Sequence, residues 1–230
     1  MSHGESSVDE WSDLPLFPLN TVLFPGMMLP LHIFEERYKV MVNRCLEESR
    51  PFGVVLIREG QEVGGEAVPY EVGTTSVIAA VTHADDGRMN IITIGSQRFR
   101  LRSLHSSLPY LVGDAEPWPL KGTGAGDVED LVEPIHAMLR QYMSLLTMAQ
   151  GHKINVDQVP YDAQSLAWLV AIVLQIPMVE KQRLLNRPTA RAVLTAERAI
   201  MRREQLILSH IASTQADQWE GGYSGYLAHN

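Results

Sequence analysis

Eight histidines, at positions 3, 32, 83, 105, 136, 152, 210 and 229, are the first residues that metal or general-base chemistry would use. No two share a short metal-ligand spacing and no His-Glu-x-x-His occurs, so a metal centre would need long-range convergence. The single cysteine, Cys45, excludes an intrachain disulfide and a Cys-rich zinc site. It lies on an apolar helical face with Tyr38, Met41 and Val42, where a packed thiol is expected rather than a nucleophile. Ser96 and Ser224 both fail the Gly-x-Ser-x-Gly pattern of a hydrolase elbow. The Gly-rich stretch 122–126 lacks the Lys-Ser/Thr end of a phosphate loop and runs into Asp127, so it reads as a connector. Adjacent acids (Glu35-Glu36, Glu47-Glu48, Asp85-Asp86) do not face each other across a cleft and read as solvated charge. No catalytic residue, metal or cofactor is expected, and the chain is not read as an enzyme.

Two constellations remain. Arg98, Arg100 and Arg102 alternate with Phe99 and Leu101, which puts three cations on one strand face and two apolar side chains on the other. They would suit an anion, an acidic peptide or RNA, although a charged outward face is the commoner use. Phe24-Pro25-Gly26-Met27-Met28-Leu29-Pro30 places two methionines directly after a turn. Methionine adapts to varied apolar partners, so Phe24, Met27 and Met28 are the candidates for a peptide-binding surface. The competing role for them is to plug one end of the core.

The elements that must carry these residues come in two blocks. From Leu14 to about Pro119, short apolar runs are broken by Pro and Gly: 52–57, 74–82, 89–94, 97–104 and 110–116 read as strands. Asp86-Gly87 between two of them supplies the positive φ of a hairpin loop. Closely spaced strands with turns between them suggest a small closed or half-closed barrel. One helix interrupts them, with Phe34, Tyr38, Met41, Val42, Cys45 and Leu46 on a single face. After Pro119 the periodicity becomes helical: 131–149 around Pro134, Asp162-capped 163–175, 179–185, and Thr189-capped to about 213. Strands in a run followed by helices in a run indicate α+β. The expected division is an acidic leader (1–13), a β-rich domain (14–118), a linker (119–126), a helical bundle (127–213) and a loose tail (214–230).

Composition bounds the partners. The 230 residues are 45% hydrophobic and 20% charged, with a formal net charge of −8. A net negative field repels nucleic acid and anionic membranes, leaving RNA only a local basic patch. The start, with Glu5, Asp9, Glu10 and Asp13, has neither the basic nor the apolar region of a signal peptide. The longest apolar run, Leu166 to Leu174, is about half of the roughly 20 residues that span a membrane. A cytoplasmic protein is expected. The last helix carries apolar residues at 193, 200 and 207 and also at 194, 201 and 208, which raises the expectation of a homodimer.

The stretch Leu14-Pro15-Leu16-Phe17-Pro18-Leu19-Asn20-Thr21-Val22-Leu23-Phe24-Pro25-Gly26-Met27-Met28-Leu29-Pro30-Leu31-His32-Ile33-Phe34-Glu35-Glu36-Arg37-Tyr38 resembles the opening of the Lon protease N-terminal domain family. Phe52-Gly53-Val54-Val55-Leu56, Val72-Gly73-Thr74 and Gly95-Ser96-Gln97-Arg98-Phe99-Arg100-Leu101 match further motifs in order. The resemblance covers about 14–117 with good specificity and the helical part more loosely. It implies a PUA-like β pseudo-barrel with one inserted helix, followed by a C-terminal α-helical bundle. It also implies recognition of unfolded or extended polypeptide segments, in the company of proteolytic machinery. His32, Phe34, Arg37 and Tyr38, inside the first motif, are implied to lock loop and helix onto the barrel. The sequence has no Walker motif and no room for ATPase or peptidase modules, so a free-standing, non-enzymatic binding domain is expected. An RNA-binding PUA-like protein using Arg98, Arg100 and Arg102 is the alternative.

Overall fold

A computed structural model describes residues 11–64, 67–150 and 159–223. In chain order the elements are β1 (Trp11–Leu19), β2 (Met28–Ile33), α1 (Glu36–Glu47), β3 (Phe52–Gly60), β4 (Ala67–Pro69) and β5 (Val72–His83). There follow β6 (Met89–His105), β7 (Val112–Pro117), α2 (Ala125–Gln150), α3 (Ala163–Val173), α4 (Met178–Leu185) and α5 (Ala190–Tyr223).

The chain divides into two compact units: residues through Lys121 together with Ala171–Pro188, and Gly122–Val170 together with Thr189 onward. The first holds the sheet. β1 pairs with β7, β7 with β6, β6 with β5, β5 with β3, and β3 returns to β1. Five strands thus close a ring in which only the β1–β3 pairing is parallel. β4 extends β3, and β2 lies beside the first half of β6. β1 divides its partners, with Trp11–Pro15 against β7 and Leu16–Leu19 against β3. It is buried on both faces and carries Pro15 and Pro18, so neither alternation nor composition marks it as a strand.

Two apolar clusters fill the ring. Leu14, Leu16, Val55, Phe99 and Ala115 form one. In the other, Tyr38, Met41, Val42 and Cys45 of α1 meet Phe17, Phe52, Ile91 and Val112. Tyr38 stacks on Phe17 with ring centroids 4.1 Å apart and takes the Arg37 guanidinium on its ring at 4.6 Å. Of the four residues expected to lock the helix, Tyr38 and Arg37 make these contacts; His32 Nδ1 lies 2.7 Å from Asn90 Oδ1, and Phe34 is exposed with its ring on His32. Cys45 is buried, and burial pushes its thiol up to about 11, so it stays protonated and inert at neutral pH.

The β5–β6 hairpin turns at Asp86-Gly87 as expected, with Gly87 at φ 76°. The two runs read as 89–94 and 97–104 are one strand. They looked separate because Gly95 interrupts them, yet Gly95 is what lets the turn after Phe24 approach. A Cβ there would meet the Phe24 carbonyl oxygen at 2.2 Å, and the two chains exchange Gly26 N–H to Gly95 O (2.8 Å) and Gly95 N–H to Met27 O (2.9 Å).

The structure draws three boundaries differently from the expected division. The helical block 127–213 is not one unit, because Ala171–Pro188 belongs with the sheet. Gln182 Nε2 of α4 donates to Val72 O at 2.8 Å, and Arg98 donates to the carbonyls of Leu185 and Arg187. The expected linker 119–126 is partly structured: Leu120 is buried, Lys121 N–H donates to Pro188 O (3.0 Å), and α2 begins at Ala125. The expected tail from 214 is helical to Tyr223, since each added helical residue contributes a hydrogen bond once the helix exists. Residues 1–10 and 224–230, and Gly151, considered as a helix cap, lie outside the described residues.

In the second unit Thr189 Oγ1 caps α5 by accepting from Ala192 N–H (3.2 Å), and Asp162 Oδ1 caps α3 by accepting from Ser165 N–H (2.8 Å). Arg191 reaches both carboxylate oxygens of Asp130 at 2.7 and 3.1 Å and also donates to Asp127 O. Gln205 Nε2 donates to Met138 O (2.8 Å). Val193, Leu194 and Met201 of the stripe that suggested a dimer are buried, whereas Leu206 and Ile207 are exposed.

Candidate functional site

Successive strand residues point to opposite faces, so β2, β5 and β6 each contribute one row inward and one outward. The inward row (Leu29, Leu31, Ile78, Val81, Ile91 and Met89) packs on the α1 core. The outward row would be polar on an ordinary solvent face, and here it is not. Register aligns Met28 of β2, Ile94 of β6 and Val77 of β5 across the three strands. The next aligned set is Pro30, Ile92 and Ala80. Met28 is 62% exposed, and Val77, Ile92 and Ile94 lie open beside it. Together these side chains present on the order of 300 Å² of apolar surface, comparable to the largest patch on an ordinary monomer, a kind of patch that is often functional.

The rim of this face is a bare strand edge. β5 pairs with β3 only through Ser76, so Val77 to Thr82 are hydrogen-bonded on the β6 side alone among the described residues. That edge reads Val-Ile-Ala-Ala-Val-Thr, without the charge or proline that normally protects a free strand from pairing. A bulge near Ala79 is its one irregularity. β2, the opposite edge, carries Pro30. The arrangement can therefore take an extended chain on the β5 side and hold its apolar side chains on the outward face.

Of the three methionine-turn candidates, the structure leaves one on this face. Phe24 is wholly buried and its side chain cannot contact a ligand, while its backbone carbonyl lies close against Gly95. Met27 packs against the core beneath β2. Met28, one residue on, points outward as alternation requires. The partners of Met28 (Val77, Ile92 and Ile94) were not singled out in the sequence. Their signal was outward-facing β-branched residues in two runs, whose register no single strand reveals.

The three arginines do not form one basic face. Arg98 is 3% exposed and donates to carbonyls at the end of α4, at 2.8 Å for Arg187, so it is a structural cation. Burial, helped by nearby Arg100, lowers its pKa to about 10. Arg100 lies over the Trp118 ring at 3.5 Å, and Arg102 pairs with Glu116. A register shift between Leu101 and Ser103 sets Arg102 apart from the two arginines before it. Among the described residues no group of three or more His, Cys, Asp or Glu is placed to hold a metal, and no helix is long and apolar enough to cross a membrane.

The model of the ATP-dependent protease La (LON) substrate-binding domain matches residues 13–203. The chain belongs to the Lon substrate-binding domain family. Lon protease 2 of Syntrophobacter fumaroxidans is 28% identical over 186 residues, covering 79% of this chain and 23% of that protein. The Lon protease of Desulfovibrio desulfuricans is 26% identical over 213 residues, covering 90% and 24%. The chain thus spans about a quarter of the length of the curated Lon relatives it matches. A solved Lon N-terminal domain protein from Xanthomonas campestris superposes with a TM-score of 0.60 at 26% identity, covering 81% of this chain and 96% of that one. The N-terminal domain of a Mycobacterium avium complex Lon protease does so at 0.63 and 15% identity, over 83% and 98%, a likeness of fold. In this Lon-family domain the first motif supplies β1, the Phe24 turn, β2 and the start of α1, and therefore places Met28.

Proposed function

We propose that this Lon-family domain is a non-enzymatic module that binds unfolded or extended segments of other polypeptides, in the cytoplasm and in association with proteolytic machinery. The observation that carries the reading is the exposed apolar face of β2, β6 and β5, bordered by an unprotected strand edge. Main-chain hydrogen bonds to β5 would give affinity without sequence demands, and the two apolar rows would select hydrophobic side chains, the commonest internal residues of an unfolded chain. Match to a substrate-binding domain model supports the same reading. The closed five-strand ring supports a PUA-like pseudo-barrel as its scaffold, with the helices of the second unit as the accompanying bundle.

The RNA alternative loses its proposed contact surface, because Arg98 is buried and Arg102 is paired. Polypeptide binding is tested by fluorescence anisotropy with labelled peptides from a denatured protein. Met28→Asp puts a charge into the centre of the exposed face without touching the core, and is expected to weaken binding at least tenfold at unchanged melting temperature. Undiminished binding by Met28→Asp and by Ile92→Asp would remove the face from the mechanism.

A further inference from the structure

A second concave site lies in the sheet-bearing unit, away from the Met28 row in sequence and register. It is a cleft of about 360 Å³, a size that accommodates a small ligand or one end of a chain. Arg58 comes from the end of β3, Tyr70 and Glu71 from the β4–β5 connection, and Gln182, Arg183 and Asn186 from α4 and its C-cap. We propose that this cleft binds a carboxylate of a polypeptide, either an acidic side chain or the chain's C-terminus.

Four observations converge. The Arg183 guanidinium, the Asn186 amide and the Tyr70 hydroxyl line the cleft and have no hydrogen-bond or ion-pair partner among the described residues. Among the described residues Arg58 is held only by its neighbour Glu59, at 3.4 Å. Gln182 is 4% exposed; its Nε2 is fixed on Val72 O, while its Oε1 is buried with no partner among the described residues. A buried acceptor left unmade is costly, and a peptide N–H beside a bound carboxylate would satisfy it. Finally, the negative end of α4, which would oppose an anion, is already neutralised. Asn186 N–H takes Gln182 O, Arg187 N–H takes Leu184 O, and the buried Arg98 guanidinium takes the carbonyls of Leu185 and Arg187. Arg183 is therefore left for a ligand.

Charge limits the ligand. Glu59 offsets Arg58 and Glu71 stands beside the cleft, so Arg183 is the cation left for an anion. A singly charged carboxylate meets less repulsion from Glu71 than a phosphate dianion does. Val72 and Val179 provide an apolar wall for the adjoining side chain.

The site rests on the polypeptide-binding reading for the nature of its occupant, but on different residues. The test titrates the ¹⁵N-labelled full chain with three N-acetylated Ala/Val pentapeptides: one with a free C-terminal carboxylate, one amidated, and one amidated with a central Asp. Inorganic phosphate is a fourth probe. Either carboxylate peptide is expected to shift the amides of Tyr70 to Gly73 and of α4, at least tenfold more tightly than the neutral one. The peptide that does so names the source of the carboxylate. Arg183→Ala, at an exposed position that leaves the fold intact, should weaken that binding tenfold, while Met28→Asp should not. Equal shifts from all three peptides, indifference to Arg183→Ala, or tighter binding of phosphate would overturn the proposal. Loss of binding in Met28→Asp with these shifts retained would indict the sheet face alone.

Discussion

Glu197 allows a sharp thermodynamic test of the second unit. It lies on α5, fully buried, and neither carboxylate oxygen has a hydrogen-bond partner among the described residues. Desolvation with nothing to offset it pushes its pKa well above the ordinary carboxylate value. The folded protein therefore holds this proton at pH values where the unfolded chain has released it. Where the native state binds more protons, unfolding free energy falls as pH rises. The stability conferred by neutral Glu197 is complete below the unfolded pKa and is lost as pH climbs toward the folded one. Within that window the slope is about 1.4 kcal/mol per pH unit for one proton. Glu197→Gln keeps the shape and abolishes the titration. The assay is urea unfolding of both proteins at pH 5, 6 and 7, followed as the difference between them. Histidines titrate alike in both and cancel, and any packing penalty of the amide adds a constant offset. The variant is expected to gain on the parent by roughly 1.4 kcal/mol for each unit of pH inside the window. Glu197→Leu should give the same slope with a different offset. A difference that does not change with pH would refute an uncompensated buried carboxyl.

Two other substitutions test the scaffold that presents the apolar face. Gly95→Ala drives a methyl into the Phe24 carbonyl and should cost about 2 kcal/mol or more. Amide chemical shifts of residues 24–28 should move with it, and a melting temperature equal to the parent's would show the turn to be looser than described. Arg98→Met removes buried charged hydrogen bonds to the end of α4 and should cost about 3 kcal/mol. Hydrogen exchange should then rise in α4 before it rises in β3. If RNA binding were lost instead, with stability unchanged, Arg98 would be a ligand contact rather than a cap.

What the sequence disclosed follows from the range of the interactions involved. The α1 face from Tyr38 to Cys45 and the Asp86-Gly87 hairpin depend on residues three or four apart, and both could be read directly. β1 could not, because burial on both sides removed its alternation and two prolines disguised it. The assignment of α4 to the sheet was also hidden. It depends on Gln182 reaching Val72 and Arg98 reaching Leu185, pairs separated by 110 and 87 residues that no periodicity encodes.

The methionine turn is the most instructive case, because the structure puts its three candidate residues in different environments. Phe24, Met27 and Met28 enter the strand from a turn, and only Met28 lies on β2, so the three do not share one environment. Phe24 is spent on seating the turn and Met27 on the core, which is what fixes the backbone so that Met28 must face outward. The proposed binding face is thus a product of the packing beneath it. Its apolar rows persist in solvent because Leu29, Leu31 and Ile91, one residue out of phase, already hold β2 and β6 to the core. A one-residue slip of β2 would exchange the two sets, burying Met28 and exposing Leu29 and Leu31. The six-residue register from Met28↔Ile94 to Ile33↔Met89, pinned at one end by the Gly95 bonds, prevents that slip. Specificity for an unfolded chain on this face would therefore be set by the same residues that set stability, and substitutions in the inward row should alter ligand preference only by altering the fold.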